Sequence, residues 1–567
     1  MREISTVAVI GLGTMGAGIV EVFARGGLQV LGVETTQDYA DRGRAILQRS
    51  TDRAVARGKL DEAGQAEILG RITITTQMAD LADVDLVVEA VPEILQLKHD
   101  VLGRLDEIVP EDAILATNTS SLSITEIAAP TRRPERVLGL HFFNPAPVLK
   151  LVEVITTLRT DPGVVEAVVA MAEQLGKKPV VVGDRAGFVA NYLLFGYFTS
   201  ALRMLEHGHV SREDLDTAMR VGAGLPMGPL TLMDLVGLDV CHHIGDVIYA
   251  HTRSQMHAPS PMLGRMVTSG LLGRKSGRGF YTYDRPGGGQ VVDDAQTPAS
   301  VDPPALTTVG VVGRGEVADD LVSRLEEGGY AVVHVPDADD PEDLRRLVDA
   351  GLVIEAQSLD LAAELAALRL DDLRDLDESD LAGRDLDDLF EELGEITGPQ
   401  TVLATVNNAA AVALGALSGR PERCVVLRVH EPTGNGQVVE IGRTSATDDG
   451  AVAMLRALVT RLGAEPVVSR DRPGLVVDAL LVPHLNDAVR MLDEGYASVA
   501  DIDTALRHGL GYPTGPFAMI DHIGADEVLA VCEELAAGGA GLPRESVEPS
   551  PLLVEHVLLD RPFTSGG

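Results

Sequence analysis

The chain has 567 residues, 85 of them Asp or Glu and 47 Lys or Arg, which gives a formal net charge of −38. This charge argues against nucleic acid as a partner, because phosphate backbones would be repelled. No apolar run approaches the about 20 residues of a membrane-spanning helix, so no membrane partner is expected. The three cysteines lie far apart in sequence, and the N-terminus shows no signal-peptide pattern. We therefore expect a cytoplasmic protein of roughly three to five domains.

The first 183 residues alternate short apolar runs with helical patterns. Val7–Ile10 and Val30–Val33 are continuous apolar runs, as expected of parallel strands that are covered on both faces. Further strand-like segments follow at 86–90, 113–117, 136–143, 151–156 and 179–183. This alternation predicts a Rossmann-type, doubly wound α/β domain over residues 1–183.

A glycine-rich loop follows the first strand. Its residues are Gly11, Leu12, Gly13, Thr14, Met15 and Gly16. The first glycine suits a tight turn, the second lets backbone approach a pyrophosphate, and the third lets the next helix pack on the strand. That helix would offer its first N–H groups to phosphates. Glu34 ends the next strand, where a carboxylate can bind ribose hydroxyls and repel a 2′-phosphate, so the expected cofactor is NAD rather than NADP.

His141 and Glu153 stand out in the apolar stretch LGLHFFNPAPVLKLVEV. Histidine is the usual general base near neutral pH, and a carboxylate on its other ring nitrogen would fix the tautomer. Such a pair could take the proton of a substrate hydroxyl while hydride passes to NAD. The spacing alone equally allows a hydrogen-bonded core histidine with its partner, so both interpretations stay open at this point.

The pattern becomes helical after the first domain and then starts again. Residues 184–284 predict an all-α domain, and 285–305 a linker rich in Gly, Pro and Asp. Beyond the linker, TVGVVGRGEVADDLVSRLEEGGYAVVHV repeats TVAVIGLGTMGAGIVEVFARGGLQVLGV, and RPERCVVLRVHEP repeats RPERVLGLHFFNP. A tandem duplication follows from this self-similarity. We predict a degenerate Rossmann-like domain over 306–467 and a second helical domain over 468–567.

Four segments occur in order within residues 6–284. They are LATNTSSLSITEIA, GLHFFNPAPVLKLVEV, DRAGFVANYLL and GLLGRKSGRGFYTY. Together they resemble the L-3-hydroxyacyl-CoA dehydrogenase family, which includes 3-hydroxybutyryl-CoA dehydrogenases, and the repeat resembles its two-copy members. The resemblance implies NAD-dependent, reversible oxidation of a 3-hydroxyacyl-CoA to the 3-oxoacyl-CoA. It also implies that each α/β domain is followed by the family's helical C-terminal domain.

The resemblance implies roles for individual residues. His141 would be the base and Glu153 its orienting carboxylate. The residues implied around the reacting carbon are His141, Glu153, Ser120 and Asn191. Besides the glycine loop and Glu34, those implied near NAD are Glu93, Lys98, Asn118 and Lys275. Those implied near the acyl-CoA are Ser50, Arg57, Ser120 and Asn144, with Arg57 where a lysine is familiar.

Some of these residues also have bland interpretations. Asn118 and Ser120 could be turn or capping residues, and Lys98 could belong to a solvated helix face. The motifs also leave two other functions open. One is an NAD-dependent dehydrogenase of a hydroxy acid without CoA, and the other is a non-catalytic scaffold that binds NAD or acyl-CoA. Neither the acyl chain length nor a distal carboxylate on the substrate follows from these motifs.

The second copy departs from the first at the implied site. The replacements are Arg428 for His141, Asn408 for Ser120, Asp478 for Asn191 and Pro336 for Glu34. An arginine cannot act as a base at neutral pH, and Glu316 lies in the loop that would face phosphate. We therefore predict a catalytically dead copy without a dinucleotide. Glu440, the counterpart of Glu153, is kept, and we expect it to pair with the guanidinium of Arg428.

Three further expectations concern the shape of the second copy. Pro336 to Glu355 replaces the much longer stretch from Glu34 to Glu89, and 369–395 is expected to be an acidic insertion. The Leu/Asp pattern of this insertion fits an amphipathic, strongly solvated helix or a mobile excursion. GRKSGRGFY has no evident counterpart near the C-terminus. Because single-copy members dimerise through the helical domain, the resemblance implies either an internal pseudo-dimer of the two copies or a homodimer.

Overall fold

The chain forms two α/β domains, each followed by a bundle of helices, as the repeat predicted. The structure, a computed structural model, describes residues 4–299, 301–338, 341–356, 386–407, 409–539 and 541–564. No helix among these residues is both long and apolar enough to cross a lipid bilayer.

The first sheet has eight strands in the order β3-β2-β1-β4-β5-β6-β7-β8. The strands are β1 Thr6–Ile10, β2 Gln29–Val33, β3 Ile72–Thr75, β4 Leu86–Glu89, β5 Ile114–Thr117, β6 Val137–Phe142, β7 Leu151–Thr156 and β8 Lys178–Gly183. Every pair is parallel except β6 with β7. The strand order reverses between β1 and β4, and ligands of such sheets bind at that switch point. Strand β3 was not predicted from the sequence.

Helices cover both faces of this sheet. They are α1 Thr14–Arg25, α2 Gln37–Ala56, α3 Glu62–Gly70, α4 Leu95–Ile108, α5 Ile124–Ala128 and α6 Pro162–Gln174. Side chains cap several N-termini; Thr36, for example, accepts the N–H of Tyr39 at the start of α2. Two separate apolar clusters, one on each face, account for the continuous apolar runs of the strands.

The first helical domain begins with α7, which is buried along most of its length. Its helices are α7 Ala190–Glu206, α8 Arg212–Thr217, α9 Pro229–Val236, α10 Leu238–Thr252 and α11 Pro261–Thr268. A π-helical turn, Ala218–Gly222, follows α8, and a short hairpin of β9 Thr282–Tyr283 and β10 Val291–Val292 closes the domain. Asp234 accepts the backbone N–H groups of Phe280 and Tyr281, which ties the hairpin to α9.

The second sheet has seven strands in the order β12-β11-β13-β14-β15-β16-β17. They are β11 Thr308–Val312, β12 Ala331–Val335, β13 Leu352–Glu355, β14 Val402–Thr405, β15 Cys424–Val429, β16 Val438–Arg443 and β17 Glu465–Arg470. No described strand corresponds to β3, because the stretch between β12 and β13 is too short for α2, α3 and β3. Its helices are α12 Glu316–Glu327, α13 Pro341–Leu344, α14 Leu386–Ile396, α15 Ala411–Leu417 and α16 Asp449–Arg461.

Helix α14 corrects the predicted acidic insertion. Residues 369–385 lie outside the described residues, but 386–395 belong to α14, which occupies the place of α4 and ends the same distance before the next strand. Leu389, Phe390 and Leu393 are buried on its inner face. The expectation that the insertion extends to residue 395 is therefore wrong, because 386–395 belong to the counterpart of α4. The amphipathic helix that the Leu/Asp pattern predicted is found there, and its acidic residues surround an apolar core face.

The second helical domain contains α17 Val477–Asp493, α18 Val499–Gly509, α19 Pro516–Ile523, α20 Ala525–Ala537, α21 Arg544–Val547 and α22 Pro551–Leu558. Asp521, at the end of α19, accepts the N–H groups of Phe563 and Thr564. This is the contact that Asp234 makes with Phe280 and Tyr281. The prediction that the GRKSGRGFY segment has no counterpart is therefore wrong, because a shortened counterpart, residues 561–564 (RPFT), keeps the contact with the helix.

The two copies pack together reciprocally. Helix α7 lies against α17, and one apolar cluster runs through both helical domains. Helix α18 of the second copy packs on β7 and β8 of the first sheet, while α8 of the first copy packs on β17 of the second. Each helical domain therefore covers part of the other copy's sheet.

Candidate active site

The glycine loop has the backbone geometry that a dinucleotide needs. Gly11 has φ +90°, and a Cβ there would lie 2.9 Å from the carbonyl oxygen of Ala90. A Cβ on Gly16 would lie 1.7 Å from the carbonyl oxygen of Gly11, so only glycine allows this approach of α1 to the loop. By contrast, a Cβ on Gly13 would meet nothing within 4 Å. That open space, at the residue that precedes Thr14 and Met15 in α1, fits a phosphate group at the helix N-terminus.

Glu34 lies beside this loop at the end of β2. Its Oε1 accepts the N–H of Leu12 at 2.6 Å, and its Oε2 accepts the N–H of Thr35 at 3.1 Å. These bonds hold the half-buried carboxylate next to the open side of Gly13. The predicted position of Glu34 at the loop is therefore found, and the negative charge there suits a ribose diol and opposes a 2′-phosphate.

His141 and Glu153 face each other across the antiparallel pair β6–β7. The two residues are direct partners in the ladder, and His141 Nδ1 is 2.7 Å from Glu153 Oε2. Both residues are buried, with 5% and 0% of their surface exposed. Because Nδ1 donates to the carboxylate, the unprotonated nitrogen of the ring is Nε2, which is the arrangement of a general base.

The second oxygen of Glu153 has a different role. Oε1 accepts the N–H groups of Val189 and Ala190, each at 3.0 Å, at the start of α7. The carboxylate thus joins β7 to the first turn of the helical domain and satisfies two N–H groups that the helix itself leaves unpaired. The rings of Phe143 and Phe188, with centroids 4.5 Å and 5.6 Å from that of His141, limit the movement of the imidazole.

Four polar residues implied near the reacting carbon, NAD or the acyl-CoA lie at or near these same element ends. Asn191 follows the two N–H donors directly and is the second residue of α7. Asn118 accepts the N–H of Phe142 through Oδ1 at 2.9 Å, which joins the end of β5 to β6. Ser120 follows β5 as well, whereas Asn144, two residues after β6, is exposed. Asn118 thus links two strands, which is neither the turn nor the capping role of the bland interpretation.

Lys98 and Glu93 belong to a buried charge cluster with Glu89. Lys98 is 1% exposed, and its Nζ lies 2.9 and 3.0 Å from the two oxygens of Glu89 and 3.2 Å from Glu93 Oε2. Glu93 Oε1 accepts the N–H of Ser120 at 3.0 Å. Burial raises the pKa of Glu93, but the charge of Lys98 and the bonds from Thr119 and Ser120 outweigh it and leave the pKa lowered. Lys98 is therefore not part of a solvated helix face.

The second copy contains a different pair at its version of the site. Arg428 and Glu440 are ladder partners, as His141 and Glu153 are. However, Arg428 Nη2 lies 2.7 Å from Asp478 Oδ2, and Glu440 Oε2 is 2.7 Å from His430 Nε2. The prediction that Glu440 pairs with Arg428 is therefore wrong. His430 lies two residues beyond Arg428, so it can point to the same side and reach the carboxylate, while Asp478 compensates the guanidinium.

Glu440 also keeps the backbone contacts of its counterpart. Its Oε1 accepts the N–H of Val476 at 2.9 Å and of Val477 at 3.3 Å, at the start of α17. Burial opposes a charge on His430, but the hydrogen bond and charge of Glu440 outweigh it and raise the pKa of His430. The retention of this glutamate thus follows from its contacts with helix α17 and His430.

Comparison with known proteins assigns the chain to a family. The family model described as "3-hydroxyacyl-CoA dehydrogenase, NAD binding domain" matches residues 6–185 and 386–472. The model described as "3-hydroxyacyl-CoA dehydrogenase, C-terminal domain" matches residues 187–283 and 474–564. The chain belongs to the 3-hydroxyacyl-CoA dehydrogenase family. The resemblance found in the sequence motifs is thereby confirmed, and with it NAD as the family's cofactor.

Individual relatives of this dehydrogenase family cover one copy or both. A protein of Mycobacterium tuberculosis (strain H37Rv) named "3-hydroxybutyryl-CoA dehydrogenase" is 48% identical over 286 residues, 49% of this chain and 99% of its own. An Escherichia coli (strain K12) protein named "3-hydroxyadipyl-CoA dehydrogenase" is 32% identical over the full length of both chains. A crystal structure of "3-hydroxybutyryl-CoA dehydrogenase" from Escherichia coli K12 aligns with a TM-score of 0.71 and 29% identity, and covers 98% of this chain and 99% of the other.

The remaining residues implied by the family lie apart from the cluster around His141. Ser50 lies on α2, and Arg57 follows that helix as an exposed C-terminal cap. Lys275 belongs to the helical domain and forms an ion pair with Asp239 of α10. None of the hydrogen bonds among the described residues joins Lys275 to His141 or to the glycine loop. Sequence reasoning missed Glu89, whose only signal was a lone carboxylate in the apolar strand segment LVVEA.

The dehydrogenase copies also differ in the loop that follows β6 or β15. In the first copy this loop is held between α1 and Lys177, which lies between α6 and β8. A Cβ on Gly18 would lie 3.3 Å from the Cβ of Ala146, and Lys177 Nζ donates to the carbonyl oxygen of Leu149 at 2.7 Å. In the second copy the equivalent positions are Asp320 and Ala464, which cannot hold the loop in this way.

The loop of the second copy turns instead towards the first helical domain. Thr433 Oγ1 donates to the carbonyl oxygen of Val221 at 2.7 Å, and Asn435 Nδ2 donates to that of Arg220, also at 2.7 Å. A cavity of about 1140 Å³ remains in the second α/β domain, with Arg428 and His430 among its lining residues. The loop after β15 thus attaches the second copy to the first helical domain.

Proposed function

We propose that the chain catalyses the reversible, NAD-dependent oxidation of an L-3-hydroxyacyl-CoA to the 3-oxoacyl-CoA, and that only the first copy is active. The observation that carries this proposal is the buried His141–Glu153 pair, with Nδ1 and Oε2 2.7 Å apart, in the sheet whose switch-point loop fits a dinucleotide. The names of the relatives, which refer to hydroxybutyryl-CoA and hydroxyadipyl-CoA substrates, support the substrate class.

The first copy supplies the groups for proton transfer. NAD, when bound, supplies the acceptor for the hydride that leaves the substrate's C3. His141 Nε2 takes the proton of the 3-hydroxyl group, and the imidazolium that results is stabilised by Glu153. Ser120 is proposed to bind the 3-oxygen of the substrate. Asn191 is proposed to complete the polar pocket around the reacting carbon. In the reverse direction the imidazolium returns the proton to the developing alkoxide.

The same chemical requirements predict that the second copy is inactive. Arg428 has no basic nitrogen to offer at neutral pH, and Asp478 holds its guanidinium at 2.7 Å. At the loop, α12 begins with Glu316, and Asp319 follows within the first turn, so a dinucleotide's phosphates would meet like charge. Pro336 offers no side-chain oxygen for a ribose. We propose that this copy binds no NAD and contributes by packing.

A spectrophotometric assay of NADH consumption tests the substrate class. We expect turnover with acetoacetyl-CoA, 3-oxohexanoyl-CoA or 3-oxoadipyl-CoA, and the ratio of their kcat/KM values will identify the preferred chain length and any preference for a distal carboxylate. The matched control is the free acid of the best substrate. Turnover of that acid with none of any CoA thioester would contradict the proposal and favour a hydroxy-acid dehydrogenase.

We further propose that the two copies form an internal pseudo-dimer. Apolar side chains of α7 and α17 share one core, and Arg456 Nη2 of the second copy lies 2.6 Å from Asp214 Oδ2 of the first. A fragment of residues 1–305 would expose the face of α7 that α17 covers, so we expect it to dimerise or aggregate. Light scattering after size-exclusion chromatography checks this, and a monomeric, folded and fully active fragment would contradict it.

A further inference from the structure

The segment that joins the first α/β domain to its helical domain is held on two sides. This segment, Gly183–Phe188, is called the junction here. On one side Asp184 accepts hydrogen bonds from Ser123 Oγ at 2.8 Å and from the N–H of Thr125 at 2.7 Å, both at the start of α5. Phe188 has φ +49°, a left-handed conformation that costs free energy for a bulky residue and persists only when its surroundings impose it.

The other side of the junction is held by the second copy. The guanidinium of Arg185 lies between two aromatic rings, 4.0 Å from the centroid of Tyr192 and 3.9 Å from that of Tyr496. Arg185 Nη1 is 2.6 Å from Glu494 Oε2, and the hydroxyl of Tyr496 donates to the carbonyl oxygen of Gly183 at 2.7 Å. Cation–π contacts on both faces and an ion pair at the edge fix the arginine strongly. We call Arg185, Tyr192, Glu494 and Tyr496 the junction clamp.

The junction leads directly into the residues that orient His141. Phe188 packs against the His141 ring, and the next two residues, Val189 and Ala190, donate their N–H groups to Glu153. Asn191 comes next. A shift of the junction would therefore move the orienting carboxylate and the imidazole together, and small displacements of catalytic groups reduce turnover strongly.

The equivalent segment of the second copy lacks such a clamp. Arg472 occupies the position of Arg185, but Ala479 and His209 occupy the positions of Tyr192 and Tyr496. His209 Nε2 contacts the carbonyl oxygen of Leu475 at 2.9 Å instead. The aromatic clamp is thus present only at the junction of the copy whose histidine and glutamate are intact.

We propose that Tyr496 and Glu494 of the second copy are positioning residues for the active site of the first. The inference rests on the proposed function for its kinetic consequence, but the clamp itself is a structural claim that can be measured separately. The catalytically degenerate copy then contributes to turnover by holding the junction, in addition to covering apolar surface.

The test compares Tyr496→Ala, Tyr496→Phe and Glu494→Gln in the full chain, with His209→Ala as the matched control at the other junction. We expect Tyr496→Ala to lower kcat about tenfold with little change in the KM for NAD. Hydrogen–deuterium exchange of the Val189 and Ala190 amides should become faster. Tyr496→Phe keeps the ring on Arg185 and should recover most of kcat. His209→Ala should leave kcat and these two amides as in the wild type.

Two results would overturn the proposal. One is a folded Tyr496→Ala chain with wild-type kcat and wild-type exchange at Val189 and Ala190. The other is a His209→Ala chain that loses kcat to the same extent as Tyr496→Ala, which would indicate a general effect of the interface. If Tyr496→Ala does not fold, Glu494→Gln removes only the ion pair and gives the same readouts. If the wild type turned over no acyl-CoA, the proposed function would fail, and exchange would still decide the clamp.

Discussion

Replacement of His141 by alanine should lower kcat by a factor of about 10² to 10⁴, the usual contribution of a general base. The side chain is buried and its Nδ1 is bound to Glu153, so no water or neighbouring group can easily take over proton transfer from the substrate hydroxyl. Affinity for NADH should change little, because the glycine loop and Glu34 belong to other elements. Steady-state kinetics and NADH fluorescence titration measure the two effects separately.

The second copy offers a closely matched control for this substitution. The half-buried His430 also bonds to a buried glutamate, with its Nε2 2.7 Å from Glu440 Oε2, whereas His141 uses Nδ1. Replacement of His430 by alanine therefore removes a glutamate-bound imidazole from the second copy of the same protein, and we expect kcat to stay near the wild-type value. Equal losses in the two variants would show that the division into one active and one inactive copy is wrong.

Replacement of Lys98 by leucine should destabilise the first α/β domain by about 3–5 kcal/mol, the cost of breaking a buried ion pair on one side. Glu89 is 0% exposed and would lose the ammonium group that lies 2.9 Å away, while Thr117 Oγ1 at 2.7 Å would remain as a neutral donor. Native-state hydrogen exchange of the β4 and β5 amides reports the free energy of opening of this region.

The second copy suggests how this loss can be compensated. There Leu386 occupies the position of Lys98, and Asn407, at the position of Thr119, donates Nδ2 to both oxygens of Glu355 at 2.9 Å. We therefore expect the double variant Lys98→Leu with Thr119→Asn to recover about 1.5–3 kcal/mol, the value of a hydrogen bond to a charged group. If the double variant were as unstable as Lys98→Leu alone, an asparagine at position 119 would not compensate Glu89 in the way that Asn407 compensates Glu355.

Features that depend on local pattern were predictable from the sequence. The glycine loop follows from spacing between a strand and a helix, and the meeting of His141 and Glu153 follows from two neighbouring antiparallel strands of matching register. Partners that come from distant elements were not predictable. Lys98 has the sequence of a helix-surface residue, and only the fold places it over Glu89. Arg428 and Glu440 are correctly aligned, but Arg428 pairs with Asp478 and Glu440 pairs with His430. A charge inside a protein needs a compensating partner, and the fold brings these two residues within reach.

The sequence alignment of the second copy with the first was wrong where a few apolar residues stand among many acidic ones. Leu389, Phe390 and Leu393 are the only strong signs that α14 belongs to the core, and the acidic residues around them favoured a solvated segment. The contact of Asp521 with residues 561–564 uses two backbone N–H groups, which carry no residue-specific signal in a sequence, besides the hydroxyl of Thr564.

Because the two copies that pack reciprocally belong to one chain, their association does not depend on the protein concentration. Two separate subunits dissociate when diluted, whereas two halves of one chain face each other at an effective concentration set by the linker, whatever the amount of protein. The contacts between α7 and α17, and between α18 and the first sheet, should therefore persist at any cellular abundance. A fused partner also needs no symmetry. Its interface and its pocket can therefore differ from those of the first copy, as they do where Tyr496, Arg428 and Asp478 stand at the positions of His209, His141 and Asn191.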